Sequence, residues 1–194
     1  MKLRTIALVL SVALVSAAAH AQTGVYLTGD AQQFTQKGVD YTLTSPSSKN
    51  IDKLWLYGAA YGVYYDFFHS GPLTAGFDVR ESDLHANNAM LRSFLVGARV
   101  SAKPFTRPIK PYAQFSLGLG TTKPPVGTVH VSKFDYVLYG GVDYTLQKHI
   151  DFRVMEIGYG SLTTVSTATV GGGGTQYIPA STQISFSSGL VFRF

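Results

Sequence analysis

The last fourteen residues, STQISFSSGLVFRF, constrain the fold of this chain more than any other segment. Every second residue of this segment belongs to an almost wholly apolar set: Ile184, Phe186, Ser188, Leu190, Phe192 and Phe194. The residues between them are mostly small or polar. This period of two predicts a β-strand with one apolar face. Because chain termini usually fray, we expect a partner strand to hold the last phenylalanine.

The same period recurs in earlier segments, whereas no long segment after residue 22 repeats apolar residues at helical spacing. Eight such segments begin near Gly24, Leu54, Leu73, Ala89, Tyr112, Phe134, Ile150 and Thr182. In IDFRVMEIGYG the parity slips midway, because Glu156 shares the parity of Ile150 whereas Ile157 does not. The sequence therefore predicts eight strands, with a β-bulge near Met155.

The N-terminal segment MKLRTIALVLSVALVSAAAHAQ follows a different pattern. Lys2 and Arg4 precede an apolar run over residues 6–15 and then Ala19-His20-Ala21, which is the order of a secretory signal peptide. The apolar run is too short to span a membrane as a helix. We predict that residues 1–21 are a signal peptide, cleaved after Ala21, and that residues 22–194 form one β domain.

The composition narrows the class of protein. Without Lys2 and Arg4, 14 basic residues face 11 acidic ones, and this scattered net charge of +3 gives no reason to expect nucleic acid. The absence of cysteine excludes a disulfide scaffold, and no cluster has the Cys/His spacing of a zinc site. Charged residues are 14% of the chain, beside 12 Tyr, 12 Phe and 20 Gly, which favours a surface that faces something other than water.

The connections between the predicted strands alternate in length. The longer connections are residues 37–52, the segment around SDLHANN, TTKPPVGTVHVSK and STATVGGGGTQYIPA. They are separated by HSGP, KPFTRPIKP and LQKH. Up-and-down barrels of outer membranes have long external loops and short periplasmic turns. An even number of strands also places both chain ends in the periplasm. The tetraglycine segment GGGGTQ lacks the Lys-Ser/Thr of a phosphate loop and is interpreted as a loop tip.

Periodicity alone does not decide whether the apolar faces point inward, as in a soluble β-sandwich or barrel, or outward to lipid. The less apolar face is rich in Gly, Ser, Thr and Asp and nearly lacks Lys and Glu, which favours a crowded lumen over a solvent-facing sheet. We therefore predict an all-β fold, an eight-stranded antiparallel up-and-down transmembrane β-barrel. Pairing of the last strand with the first would close it and satisfy the backbone in lipid.

Two sets of candidate functional residues follow from this assignment. Trp55 and Tyr57 at one end of the second strand, with Tyr65 and Phe67 at the other, would form aromatic girdles at the two membrane interfaces. A luminal charge network is predicted from Asp66, Asp78, Arg80, Arg99, Asp143, Arg153 and Glu156. In so narrow a barrel we expect these charges to form a structural plug rather than a conducting path.

The chain resembles the small eight-stranded outer-membrane barrels of Gram-negative bacteria, the OmpA-like transmembrane domain superfamily, also called porin family proteins. GLVFRF is similar to the C-terminal signal by which the outer-membrane barrel assembly machinery recognises that group, and the resemblance implies Leu190, Phe192 and Phe194 as its residues. GGVDYTLQKHIDFRVMEIGYG resembles the closing hairpin of the group. The resemblance implies the outer membrane of a Gram-negative bacterium, with membrane lipid, lipopolysaccharide and the assembly machinery as partners. We expect a monomer.

The function predicted from these features is structural or interactive: loop presentation outside the cell and bracing of the membrane. The alternatives are a small pore or hydrophobic-ligand conduit, a lipid A-modifying enzyme, and a soluble secreted ligand-binding barrel. An enzyme would need a histidine near a serine and a carboxylate. His85 has Asp83 and Ser82 as sequence neighbours and His130 has Ser132, both in predicted outer loops, whereas His69 and His149 fall in predicted turns. We expect no catalysis, cofactor or metal.

Overall fold

The computed structural model describes residues 22–35, 53–86, 89–102, 108–123, 131–164, 168–170, 174–176 and 180–194. The strands are β1 (Gln22–Thr35), β2 (Lys53–Ser70), β3 (Leu73–Ala86), β4 (Ala89–Ala102), β5 (Ile109–Lys123), β6 (Val131–Gln147), β7 (Ile150–Thr164), β8 (Ala168–Val170), β9 (Gly174–Gln176) and β10 (Ser181–Arg193). Strands β8 and β9 pair only with each other, and the other eight form a closed antiparallel barrel. The predicted fold class is confirmed.

The barrel turns its apolar side chains outward. On β3, Phe77 and Val79 are exposed, whereas Asp78 and Arg80 between them are buried. The other barrel strands repeat this alternation, so the large exposed side chains form a continuous apolar band and the polar ones fill the interior. Inward-facing apolar strands, as in a soluble ligand-binding barrel, are therefore excluded. No helix in the described part of the chain is long and apolar enough to cross a membrane.

Closure of the barrel shifts the strand register by ten residues. The row of paired residues that starts at Val25 passes through every barrel strand and returns to β1 at Thr35. Eight strands with this shift are tilted by roughly 40° and enclose a lumen that side chains can fill. Because each row climbs as it circles the barrel, residues distant in sequence reach the same level of the lumen.

A β-bulge lies in β7, where the parity slips in the sequence. Met155 pairs with Val142 of β6, but the next pair along joins Asp143 to Arg153, so that Val154 is left over. The pairing with β10 shifts at the same place. Val154 and Met155 are both exposed, and the bulge returns Glu156 to the inward face. The predicted bulge is confirmed.

We call the end of the barrel that carries Gln22 and Phe194 the turn end, and the opposite end the loop end. At the turn end, Gly71 with a φ of 56° turns β2 into β3, and Lys148–His149 connect β6 to β7. The alternation of connection lengths fails once: the predicted medium loop around SDLHANN is mostly strand, and only residues 87–88 separate β3 from β4. His85 and His69 accordingly lie in strands, not in a loop and a turn. GGGGTQ is not wholly a loop tip either, because Gly174–Gln176 form β9.

Pairing of β10 with β1 accounts for the ordered C-terminus. The register runs from Thr35 opposite Thr182 to Gly24 opposite Arg193. Beyond the last pair, the Phe194 N–H donates to the Thr23 carbonyl at 2.9 Å. The backbone of the final strand is thus satisfied to its last residue, as a lipid environment requires. The predicted signal peptide, residues 1–21, lies outside the described residues.

Candidate functional site in the barrel lumen

The carboxylate of Glu156 is the centre of a buried network in the lumen. Arg80 donates to both of its oxygens, from Nη1 to Oε1 at 2.7 Å and from Nη2 to Oε2 at 2.8 Å. Arg153 Nη1 donates to Oε2 at 3.2 Å, and the Ser187 hydroxyl donates to Oε1 at 2.8 Å. The Tyr112 hydroxyl also donates to Oε2. Two guanidinium groups and two hydroxyls therefore compensate one buried negative charge.

Asp143 extends this network to a third arginine. Its Oδ1 accepts from Arg153 Nε and its Oδ2 from Arg99 Nη2, each at 3.0 Å. The charges along the connected side chains therefore alternate in sign, in the order Arg80, Glu156, Arg153, Asp143 and Arg99. All five are buried. Strands β3, β4, β6 and β7 are thereby linked across the lumen.

Tyrosine rings stack on the guanidinium groups of the network. The Arg99 guanidinium lies 4.1 Å from the ring centres of both Tyr64 and Tyr112. The Arg153 guanidinium lies 4.5 Å from the ring centre of Tyr26 and 4.7 Å from that of Tyr112. Each of these arginines lies over two aromatic faces, which adds cation–π attraction to the ion pairs.

Two glycines make room for these rings, each on the strand next to the tyrosine. Gly141 pairs with Tyr112, and Gly62 pairs with Tyr26. A Cβ atom on Gly141 would lie 2.5 Å from the Tyr112 Oη atom, and one on Gly62 would lie 2.5 Å from the Tyr26 Cζ atom. Glycine at these positions is therefore required by the close approach of a ring.

The remaining two residues of the predicted network, Asp66 and Asp78, are buried beside it. Asp78 Oδ1 accepts from the Tyr26 hydroxyl at 3.1 Å and from Gln114 Nε2 at 2.6 Å. Asp66 has Arg99 as its main cationic neighbour but makes no direct ion pair among the described residues. The structure thus places all seven predicted charges inside the barrel and joins five of them directly.

A separate carboxylate, Asp135, lies nearer the loop end. It accepts from the Ser93 hydroxyl at 3.0 Å and from Gln183 Nε2, and Gln183 in turn accepts from Gln32 Nε2 at 2.6 Å. Asp135 is not among the charges predicted from the sequence for the luminal network. Its partners are uncharged amides and a hydroxyl, which are common on every inward face and give no local signal.

A layer of aliphatic side chains fills the lumen at the loop end. It consists of Leu56, Leu84, Ala89, Leu91 and Leu162, with Phe34, Leu54 and Ala86 packed against it. Leu84 and Leu91 have no exposed surface. Sequence reasoning missed this layer, although its members interrupt the otherwise polar parity near the strand ends. The layer fills the part of the lumen that these strand ends enclose.

Asp151 lies at the turn end of the lumen. Its Oδ2 is 3.1 Å from Lys110 Nζ and 2.6 Å from Arg193 Nε. Asp151 is likewise absent from the network predicted from the sequence. The lumen is thus occupied from the turn end, through the arginine network, to the aliphatic layer.

The predicted girdle residues lie on the outer wall. Trp55 stacks on Tyr57, with ring centres 6.2 Å apart, toward the loop end of β2. Tyr65 stacks on Phe67, at 6.4 Å, toward its turn end. The three residues of the predicted assembly signal also point outward and are exposed: Leu190, Phe192 and Phe194.

The histidine that could serve a catalytic site does not meet a serine. His85 Nε2 lies 3.0 Å from Asp83 Oδ1 on the outer wall of β3. Ser82 has the opposite parity and is buried inside the barrel. Strand alternation therefore separates the hydroxyl from the other two groups. His130 lies outside the described residues, and no cluster that could hold a metal ion occurs among the residues described.

A groove of about 330 Å³ opens on the outer wall rather than in the lumen. Phe115, Leu138 and Tyr159 form its apolar side, and Ser161 and Thr182 lie at its edge. This position places the groove in the apolar band.

The fold and the filled lumen together define an eight-stranded barrel of the membrane-spanning type. The family model described as "Outer membrane protein beta-barrel domain" matches residues 5–194, and the chain belongs to that family. Family membership places the protein in an outer membrane. No curated protein matches the chain.

Solved structures support the same fold. Ail, the attachment invasion locus protein of Yersinia pestis, is similar with a TM-score of 0.54 at 9% identity, over 91% of this chain and 100% of that one. The same protein in complex with the heparin analogue sucrose octasulfate gives 0.56 at 11% identity, with the same coverage. Neisserial surface protein A is also similar, at 15% identity over 88% of this chain and 97% of that one, but its TM-score of 0.48 adds nothing to the argument for the fold. At these identities the likeness concerns the fold alone.

Proposed function

We propose that this protein is a non-conducting outer-membrane barrel that braces the membrane and presents its loops at the cell surface of a Gram-negative bacterium. The observation that carries the proposal is the occupied lumen. A pore needs a continuous aqueous path, whereas here the ion-paired arginines cross the middle of the barrel and the leucine layer closes its loop end.

The energetics of the lumen favour a permanent plug. Opening a path past Glu156 would separate it from Arg80 and Arg153 and leave buried charges without partners, which is costly in a low dielectric. Opening a path past Leu84 and Leu91 would bring apolar surface into contact with water. Both costs oppose a pore or a ligand conduit through the lumen.

Residues on the outer wall support the orientation that we propose for the barrel in the membrane and the partners that we propose for it. The stacked pairs Trp55–Tyr57 and Tyr65–Phe67 lie near opposite ends of the apolar band, where aromatic residues favour the two membrane interfaces. We assign the turn end to the periplasm and the loop end to the exterior, where lipopolysaccharide would surround the barrel. Exposed Phe192 and Phe194 are available to the barrel assembly machinery.

Planar-bilayer recording of the purified, folded protein tests this function. We expect no stable single-channel conductance from the wild type under conditions in which an open porin conducts. Steady conductance steps that scale with protein concentration would refute the closed lumen and support the pore alternative. Heat-modifiable migration of the same preparation on a detergent gel provides the control that the barrel is folded.

A further inference from the structure

The outer wall of β3 and β4 carries charged residues that the luminal network does not explain. Glu81, Asp83 and His85 on β3, and Arg92 on β4, share the parity of the outward apolar side chains Val79 and Phe94. Charged groups in a lipid-facing wall are costly, and they mark functional surfaces when they occur.

The depth of these charges in the apolar band follows from the strand register, because each row of paired residues rises toward the loop end as it passes from strand to strand. Glu81 lies about three residues closer to the turn end than Arg92, Ser161 and Gln33, which mark the change to polar residues on β4, β7 and β1. That difference is roughly 7 Å along the barrel axis at a tilt near 40°. Among the outward-facing residues in the described strands, Glu81 is therefore the charged residue set deepest in the apolar band.

Glu81 is neutralised within its own barrel. Arg92 Nε donates to Glu81 Oε1 at 2.7 Å, and Arg92 Nη2 donates to the same oxygen. Tyr61 on β2 lies directly opposite Glu81 in the β2–β3 register. These contacts leave the Glu81 side chain only 16% exposed. The deep carboxylate is therefore already paired.

Asp83 and Arg92 remain accessible from outside. They are direct partners in the β3–β4 register, yet Arg92 turns to Glu81, and Asp83 lies against the imidazole of His85. The Asp83 side chain is 50% exposed and that of Arg92 is 61% exposed. A two-fold axis between β3 and β4 places β3 of one copy against β4 of a second copy. Asp83 of each copy then faces Arg92 of the other, so the surface is self-complementary.

We propose that this wall joins two copies of the chain side by side in the membrane. Asp83 of each copy pairs with Arg92 of the other across a two-fold axis that runs parallel to the barrel axis between β3 and β4. The exposed side chains of Val79, Phe94 and Val96 lie below the charges on the same wall and pack across the interface. Association places each of these exposed charges opposite its counter-charge, which favours it over the monomer expected from the sequence.

Disulfide trapping tests the interface directly, because the chain contains no cysteine. Val96→Cys places a thiol on the proposed interface, and Ile157→Cys on β7 is the matched control on the far wall, since the two side chains are 44% and 42% exposed. After oxidation in membranes, we expect Val96→Cys to form dimers in severalfold higher yield than Ile157→Cys. Equal yields would mean random collision, and monomers from both variants would mean that lipid covers the wall. Either result would overturn the proposal.

A charge-reversal pair tests the proposed contacts themselves. In the Val96→Cys background, Asp83→Arg and Arg92→Asp each place like charges across the axis, so we expect each to reduce the dimer yield severalfold. Co-expression of the two variants should restore the yield, because a mixed dimer regains both ion pairs. Heat-modifiability shows whether both variants are folded. If the folded single variants keep the dimer, or if co-expression does not restore it, the assigned contacts are refuted.

Discussion

Replacing Glu156 with glutamine tests whether the luminal network holds the barrel together. Oε1 accepts from Arg80 and Ser187, and Oε2 accepts from Arg80, Arg153 and Tyr112. Whichever oxygen becomes an amide NH2 group, at least two buried donors lose their acceptor. The Arg80 guanidinium also loses its ion-pair partner, whereas Arg153 keeps Asp143. Removal of one partner from a buried ion pair costs about 3–5 kcal/mol. We expect the free energy of unfolding of Glu156→Gln to fall by that amount.

Urea titration of the folded barrel in detergent micelles or lipid vesicles measures this loss. Trp55 is the single tryptophan and lies on the outer wall, so its fluorescence reports release of the wall from lipid or detergent. The unfolding free energy should fall with urea concentration at the same slope for wild type and variant. Equal slopes show that the variant has lost stability and that the compactness of its unfolded state is unchanged.

Asp135→Asn is the matched control, because it makes the same carboxylate-to-amide change in the same lumen. Asp135 accepts only from Ser93 and Gln183 among the described residues, and neither carries a charge. We expect a smaller loss, about 1–2 kcal/mol. If the two variants lose the same stability, ion pairing adds nothing beyond hydrogen bonding, and the argument for the arginine network is refuted.

Three further predictions concern the outer wall and the chain ends. Leu117→Arg places a charge in the apolar band, so we expect it to lower the free energy of unfolding by about 2–4 kcal/mol and to impair insertion. Heat-modifiability measures insertion, with Leu117→Met as the control. Normal insertion of Leu117→Arg would contradict the outward assignment of this side chain. Deletion of Phe194 should lower the amount of assembled barrel in cells, whereas Phe194→Tyr should not, and unchanged surface levels after the deletion would argue against the terminal signal. The mass of the exported protein should correspond to a chain that begins at Gln22, and a chain that retains Met1 would contradict the predicted cleavage.

Strand positions and faces could be predicted from the sequence because the pattern that encodes them is local. Successive side chains point to opposite sides of a strand wherever the strand lies, so parity placed Asp78, Arg80 and Arg153 on the polar face. The composition of that face then assigned it to the lumen. The bulge at Met155 was predictable for the same reason, since one extra residue shifts the parity of all that follow. The β3–β4 connection was predicted wrongly, because SDLHANN contains polar residues that are typical of a loop, whereas in the structure residues 82–86 continue β3 and pair with β4.

The sequence by itself determined the class of fold, the number of barrel strands and the seven charges of the predicted luminal network. Which inward residues meet was decided only by the tertiary structure. Arg80 and Glu156 are 76 residues apart, and Gln32 and Gln183 are 151 apart. Their contacts depend on the ten-residue shift of register on closure, and no local pattern in a strand encodes that shift. The leucine layer has the same origin, because aliphatic residues near separate strand ends form a plug only where closure brings them to one level.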